Sequence, residues 1–172
     1  MLLGFNGATT LTADLATDIR AAKAAGYGCL EIWAPKLLGY FAQGSLADLR
    51  RALRRAGLPV ATLNSVERVT FQDPSGHERM LQDFTRFCRV ASALGGATVI
   101  AVPSPKPKGM SRAAMEAETV RVLRALGAIA ARHEVRVALE FLGFTDCSVR
   151  TLEACWRVVK RTNRPNVGLV LD

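Results

Sequence analysis

The fold turns on residues 135–172, which open on VRVALEF (135–141) and close on NVGLVLD (166–172). Between these runs Leu152, Cys155, Trp156 and Val159 recur at helical spacing. Both runs are apolar without clean alternation, the pattern of strands buried on both faces in a parallel sheet covered by helices. A helix between them is the crossover that parallel neighbours need. Each run also carries a carboxylate at its carboxyl end, Glu140 and Asp172. Burying such a group unpaired costs several kcal/mol, so it needs a cation, hydrogen-bond donors or solvent.

The same alternation of run and helix extends back to the start. Apolar runs begin near residues 2, 28, 58, 97, 135 and 166. The first is Leu2 to Asn6 and the second Cys29 to Trp33, followed by a Gly/Pro loop; LPVATLN and ATVIAVP are the third and fourth. Five helices are expected between them. The first carries Leu15, Ile19 and Ala22 on one face, and the second opens at Ser45 with Asp48 three residues on, the spacing of a capping box. The third starts at SGHE (75–78) and buries Met80, Phe84, Phe87, Cys88, Ala91 and Leu94. The fourth runs from Ser111 to about His133, and the fifth from Ser148. The class is α/β.

With 172 residues, 49% of them hydrophobic, the chain is expected to form one domain over 1–172 with a sizeable core. No apolar run reaches the length of a membrane span, and MLLGFNGATT lacks the basic start of a signal peptide, so no membrane partner and a cytoplasmic location are expected. The net charge of +8 rests on 18 Arg and 5 Lys, but these are scattered over helix faces without interleaved aromatics. That favours a solvated basic surface over a nucleic-acid interface. Cys29, Cys88, Cys147 and Cys155 form no CxxC pair and read as reduced, partly buried thiols.

Pattern alone fits an open doubly wound sheet or a barrel, with six runs sufficient for the former. Neither GxGxxG nor GxxxxGK[ST] is present, so the usual nucleotide functions of open sheets have no handle. In both architectures ligands meet the carboxyl ends of the strands, which here carry Asn6, Glu31, Asn64, Ser104, Glu140 and Asp172. Glu31 lies inside its run, and its direction is open. Two carboxylates on neighbouring strands suit a divalent ion, although an ordinary wet strand end explains either one alone.

FNGATTL, GYGCLEIW, AVPSP, ALEFLG and NVGLVLD together resemble the xylose isomerase-like TIM barrel superfamily, within it most nearly the inosose (2-keto-myo-inositol) isomerases. The resemblance implies an incomplete (β/α)8 TIM barrel with six parallel strands and five helices present, strands seven and eight lying beyond Asp172. It implies a sugar or polyol-ketone isomerase using one divalent metal ion (Zn, Mn, Co or Mg). Glu140 matches a metal ligand that is also an acid/base, and Asp172 a second ligand; a His and a Glu ligand have no counterpart. Asn6, Asn64 and Trp33 are candidate contacts to a small-molecule sugar or inosose. Local capping and packing are the competing readings of these three. His77 and His133 fall at helix ends and are not assigned as ligands. Lys106 and Lys108, in the Pro-rich PSPKPKG loop (103–109), are candidate contacts to an anionic substrate. The chain alone is expected to be nearly inactive and to bind metal weakly, with exposed edges that favour a homo-oligomer. Inosose dehydratase, hydroxypyruvate isomerase or ketose 3-epimerase chemistry, and a non-catalytic partial barrel, remain alternatives.

Overall fold

The computed structural model describes residues 2–171. The chain runs β1 (Gly4–Asn6), a 3-10 turn (Gly7–Thr10), α1 (Leu15–Ala24), β2 (Cys29–Trp33), α2 (Ala34–Phe41), α3 (Leu46–Ala56), β3 (Val60–Val66), α4 (Pro74–Ala93), β4 (Thr98–Ala101), α5 (Arg112–Ala131), β5 (Val137–Glu140), α6 (Leu152–Thr162) and β6 (Val167–Val170). The six strands pair in parallel and in chain order, β1-β2-β3-β4-β5-β6. A doubly wound sheet reverses its order at a switch point. Here the order never reverses, which is the strand arrangement of a TIM barrel.

Alternation divides each strand between two faces. Leu30, Ile32, Leu63, Val99, Ala101, Val137, Leu139 and Val167 point outward and join Leu15, Ile19, Leu49, Leu53, Phe84, Cys88, Leu123, Leu126 and Val158 of the helices in one core. The intervening positions, including Glu31, Trp33, Thr62, Ile100, Ala138 and Glu140, face inward. The ladder register pairs Glu31 with Thr62, Ile100 with Ala138, and Trp33 with Asn64. One register shift on β3 makes this possible. Leu30 pairs with Val60 and Glu31 with Thr62, so Ala61 is an extra residue that turns Thr62 and Asn64 inward while Val60 and Leu63 stay outward.

The helices follow local rules. Ser45 and Asp48 form the expected capping box at α3. The cap of α4 is Asp73 rather than Ser75: its carboxylate accepts from the Gly76 N–H, with Pro74 in the first turn. The cap of α6 is Thr151 rather than Ser148. Among the described residues six α-helices are present where five were expected. The additional one is α2, whose segment APKLLGYF reads as a loop because its Pro and Gly look like breakers. Pro35 instead occupies the first turn, where it needs no N–H partner, and Leu37 anchors the helix in the core. At Gly127 on α5, an added Cβ would lie 2.7 Å from the Val167 side chain, so the helix approaches β6 only because that position is bare.

Among the described residues β1 and β6 are the outer strands of the sheet. Leu2, Leu3 and Leu171 beside them are exposed, as are Leu152 and Trp156 on α6. No helix among the described residues is long and apolar enough to cross a membrane.

All four cysteines are buried free thiols, and burial pushes Cys88 and Cys155 up to about 12. Their thiolate fraction at neutral pH is therefore negligible. The folded chain should react slowly with an aromatic disulfide reagent and release four equivalents once unfolded in guanidinium. Four fast thiols in the folded chain would contradict this packing.

Candidate functional site

The carboxyl ends of the strands form a mouth lined from the inner face of the sheet. Glu31 stands within it, one inward position below Trp33 on β2. Its Oε2 accepts a hydrogen bond from Thr62 Oγ1 at 2.5 Å and its Oε1 accepts one from Asn64 Nδ2 at 2.9 Å. The carboxylate therefore lies along β3, spanning two successive inward residues. Asn64, expected to touch substrate, directs its amide N–H to Glu31. Neither this contact nor the inward turn of Thr62 was readable without the β3 bulge.

Glu140 ends β5 on the inner face, paired in the ladder with Val170. Asp172 lies outside the described residues. As a hard oxygen donor at a strand end, Glu140 suits a divalent ion. The described residues contain no group of three or more His, Cys, Asp or Glu side chains able to hold a metal, so they do not form a closed site. His77 lies in the first turn of α4, the helix that follows β3, and His133 lies just beyond α5.

The rim over β1 and β2 is held by a buried ion pair. Lys36 Nζ on α2 donates to Asp18 Oδ2 on α1 at 2.6 Å, to the Thr10 carbonyl at 2.7 Å and to Thr10 Oγ1 at 2.9 Å. Thr10 Oγ1 in turn donates to Asp18 Oδ1 at 2.7 Å, which closes the ring. The Lys36 and Asp18 side chains are 4% and 1% exposed. The 3-10 turn can come this close because Gly7 is bare: a Cβ there would sit 3.1 Å from Asp18 Oδ2 and 3.3 Å from the Glu31 carbonyl. Asn6 caps that turn, its Oδ1 accepting from the Ala8 N–H at 2.8 Å. Half-buried Trp33 lines a groove of about 630 Å³ beside α1 and α2, and a second of about 840 Å³ toward Arg68 and Arg79.

Three loops on the other side of the mouth are tied together. Ser104, after β4, donates its N–H to Thr70 Oγ1 and accepts at Oγ from the Thr70 N–H, while its hydroxyl donates to the Thr70 carbonyl. Ser148, after β5, donates its hydroxyl to the Ser104 carbonyl at 2.7 Å. The Lys106 N–H bonds the Asp146 carbonyl at 2.6 Å, and Pro105 bridges to Cys147. Ser104 thus holds loops together rather than facing the mouth. Lys106 and Lys108 are exposed on the same loop.

The model of the Xylose isomerase-like TIM barrel matches residues 19–172. The chain belongs to this family. Curated inosose isomerases of Bacillus velezensis and Bacillus subtilis are 33% and 34% identical over the whole of this chain. The chain spans 62% and 63% of their respective lengths. A crystal structure of the IOLI protein with a binding zinc atom superposes on all of this chain with a TM-score of 0.95 at 34% identity, the chain covering 63% of it. A D-psicose 3-epimerase structure matches at a TM-score of 0.81 and 17% identity, covering 98% of this chain and 62% of its own, and so shares the fold.

In this family member the Asp18–Lys36 pair is a buried charge pair with each charge fully partnered. Lys36→Met would strand the Asp18 carboxylate and should cost about 3–5 kcal/mol in urea unfolding. The double variant Lys36→Met/Asp18→Leu should recover a substantial part of that loss. A single variant as stable as the wild type would show that the ring does not hold the rim.

Proposed function

We propose that this chain supplies six strands of a metal-dependent isomerase acting on sugars or polyol ketones, with an inosose as its substrate. What carries the reading is the whole-chain alignment with curated inosose isomerases at 33% and 34% identity. All 172 residues would belong to one barrel domain. The reaction moves a carbonyl to the adjacent carbon: a base removes the proton beside the carbonyl, and a proton is returned to the former carbonyl carbon. Glu140 is the base or acid this chain contributes, and a positioned group of this kind supplies about 10²–10⁴-fold.

Glu140 and Asp172 would hold a divalent ion of the Zn, Mn, Co or Mg class. The zinc in the IOLI structure supports that choice. When bound, the ion would stabilise negative charge developing on the substrate's oxygens. Two carboxylates leave most of an ion's coordination to water, so metal binding by this chain would be weak. Asn6 remains a candidate hydrogen-bonding contact to substrate hydroxyls and Trp33 a candidate apolar wall, and Asn64 remains a candidate in the supporting role that its bond to Glu31 gives it.

The test follows inosose by NMR in D2O with Mn²⁺, Co²⁺ or Zn²⁺ added. The 172-residue chain should give little isomerisation, far below the full-length Bacillus subtilis relative. Its slow metal-dependent exchange of the proton beside the carbonyl should be lost in Glu140→Gln. Metal-dependent exchange that is indifferent to Glu140→Gln would contradict the role given to Glu140 in the isomerase reading. Full-rate turnover would contradict the weak two-carboxylate site.

A further inference from the structure

Glu31 is the carboxylate in the mouth to which the proposed chemistry gives no task. Among the described residues it is held in place by neutral donors alone. Each oxygen accepts one bond from a neutral donor on β3, Thr62 Oγ1 or Asn64 Nδ2. No Lys, Arg or His forms an ion pair with it among the described residues. An ionised carboxylate offers about four acceptor positions, so roughly two remain for a ligand or water. The group is half-buried, whereas Leu30 and Ile32 on either side are fully enclosed beneath the helices. Its open side therefore faces the mouth.

The chemistry of such a group is narrow. A carboxylate with fixed orientation accepts hydrogen bonds and donates none, and among the described residues no cation pairs with it. Among the described residues it belongs to no group of three or more ligating side chains, and the single acceptor position left on each oxygen by Thr62 and Asn64 is of the kind a hydroxyl donor fills. Two oxygens with a free position each match two hydroxyls on adjacent carbons. We propose that Glu31 is a hydroxyl-binding subsite for a polyol in the barrel mouth, with Thr62 and Asn64 as its positioning residues. This deepens the reading of the substrate as a polyol ketone and rests on it. It also assigns Asn64 an indirect part: it acts on the ligand through Glu31. A site built to accept hydroxyl protons discriminates against ligands that lack them, because the acceptor is left unpaired on binding.

The test is a metal-free NMR titration of the ¹⁵N-labelled chain with myo-inositol, which carries no carbonyl to isomerise, and with its monodeoxy analogues. Myo-inositol should shift the Glu31 and Thr62 amides and the Asn64 side-chain NH₂. Glu31→Gln should weaken binding by about tenfold, the scale of a hydrogen bond to a charged group. That penalty should vanish for a deoxy analogue missing a hydroxyl that Glu31 accepts. Thr62→Val and Asn64→Ala should weaken binding in the wild type and add little in the Glu31→Gln background, an interaction that a general loss of stability would not produce. Several results would overturn the proposal: unshifted wild-type signals at these residues, unchanged affinity in Glu31→Gln, or an equal penalty for every analogue. If Glu31→Gln fails to fold, the wild-type shift map and the analogue series still decide. Because no metal or turnover enters, failure here is separable from failure of the isomerase reading, which the Glu140→Gln exchange assay judges.

Discussion

Everything at the mouth depends on the register of the parallel ladder between β2 and β3. A strand's side chains alternate between faces, so a slip of one residue exchanges the whole buried set with the whole inward set. On β2 that slip would drive Glu31 under the helices and turn Leu30 and Ile32 into the mouth. The outward residues prevent it by burial. Leu30, Ile32 and Leu63 are completely enclosed, and each contributes on the order of 1.5–3 kcal/mol on leaving water. The hydrogen bonds from Thr62 and Asn64 to Glu31 then add a polar contact that exists in this register alone. The hydrophobic term sets which face is which; the polar term makes the inner face specific.

The rim divides its polar groups between two tasks. Lys36, Asp18, Thr10, Ser104, Thr70 and Ser148 direct their hydrogen bonds at one another and at backbone carbonyls, and so fix the loops. Such groups are consumed by structure. Glu31 keeps acceptor positions open toward the mouth, and Glu140 ends its strand facing the same way. A ligand with many hydroxyls needs both kinds: immobile loops that hold the pocket's shape, and oriented acceptors that read the ligand. Surface charges play a different part. Glu116 joins Arg112, Arg157 and Arg161 across α5 and α6, where solvent weakens each pair.

The legible part of the sequence was the part governed by short periodicities. VRVALEF and NVGLVLD gave buried parallel strands because their apolar runs lack alternation, and Ser45 with Asp48 marked a helix start that is present as expected. The sequential strand order was not legible, since open and closed parallel sheets share the same local pattern; the family resemblance supplied the barrel. Helix α2 was hidden because Pro35 and Gly39 look like breakers when their position within the helix is unknown. At the site, Glu140 stood out as a carboxylate ending an apolar run. Glu31 stayed ambiguous because its direction depends on Ala61, the extra residue on a different strand that shifts the pairing. The Asp18–Lys36 ring was invisible for a related reason: its members are 18 residues apart and ordinary surface types until two helices close over them.

The central claim is that the carboxyl ends of these strands face one mouth, and it carries the proposal that Glu140 there would gather a divalent ion. Its most direct test is the titration of Mn²⁺ into the ¹⁵N-labelled chain, observing which amides its unpaired electrons broaden first. The account predicts early broadening around Glu140 and the neighbouring strand ends, at Phe141 and Val170, with Pro59-adjacent and Ala97-adjacent amides at the opposite end of the sheet still sharp. Broadening centred on the acidic side chains of α5 and α6, with Glu140 unaffected, would contradict it.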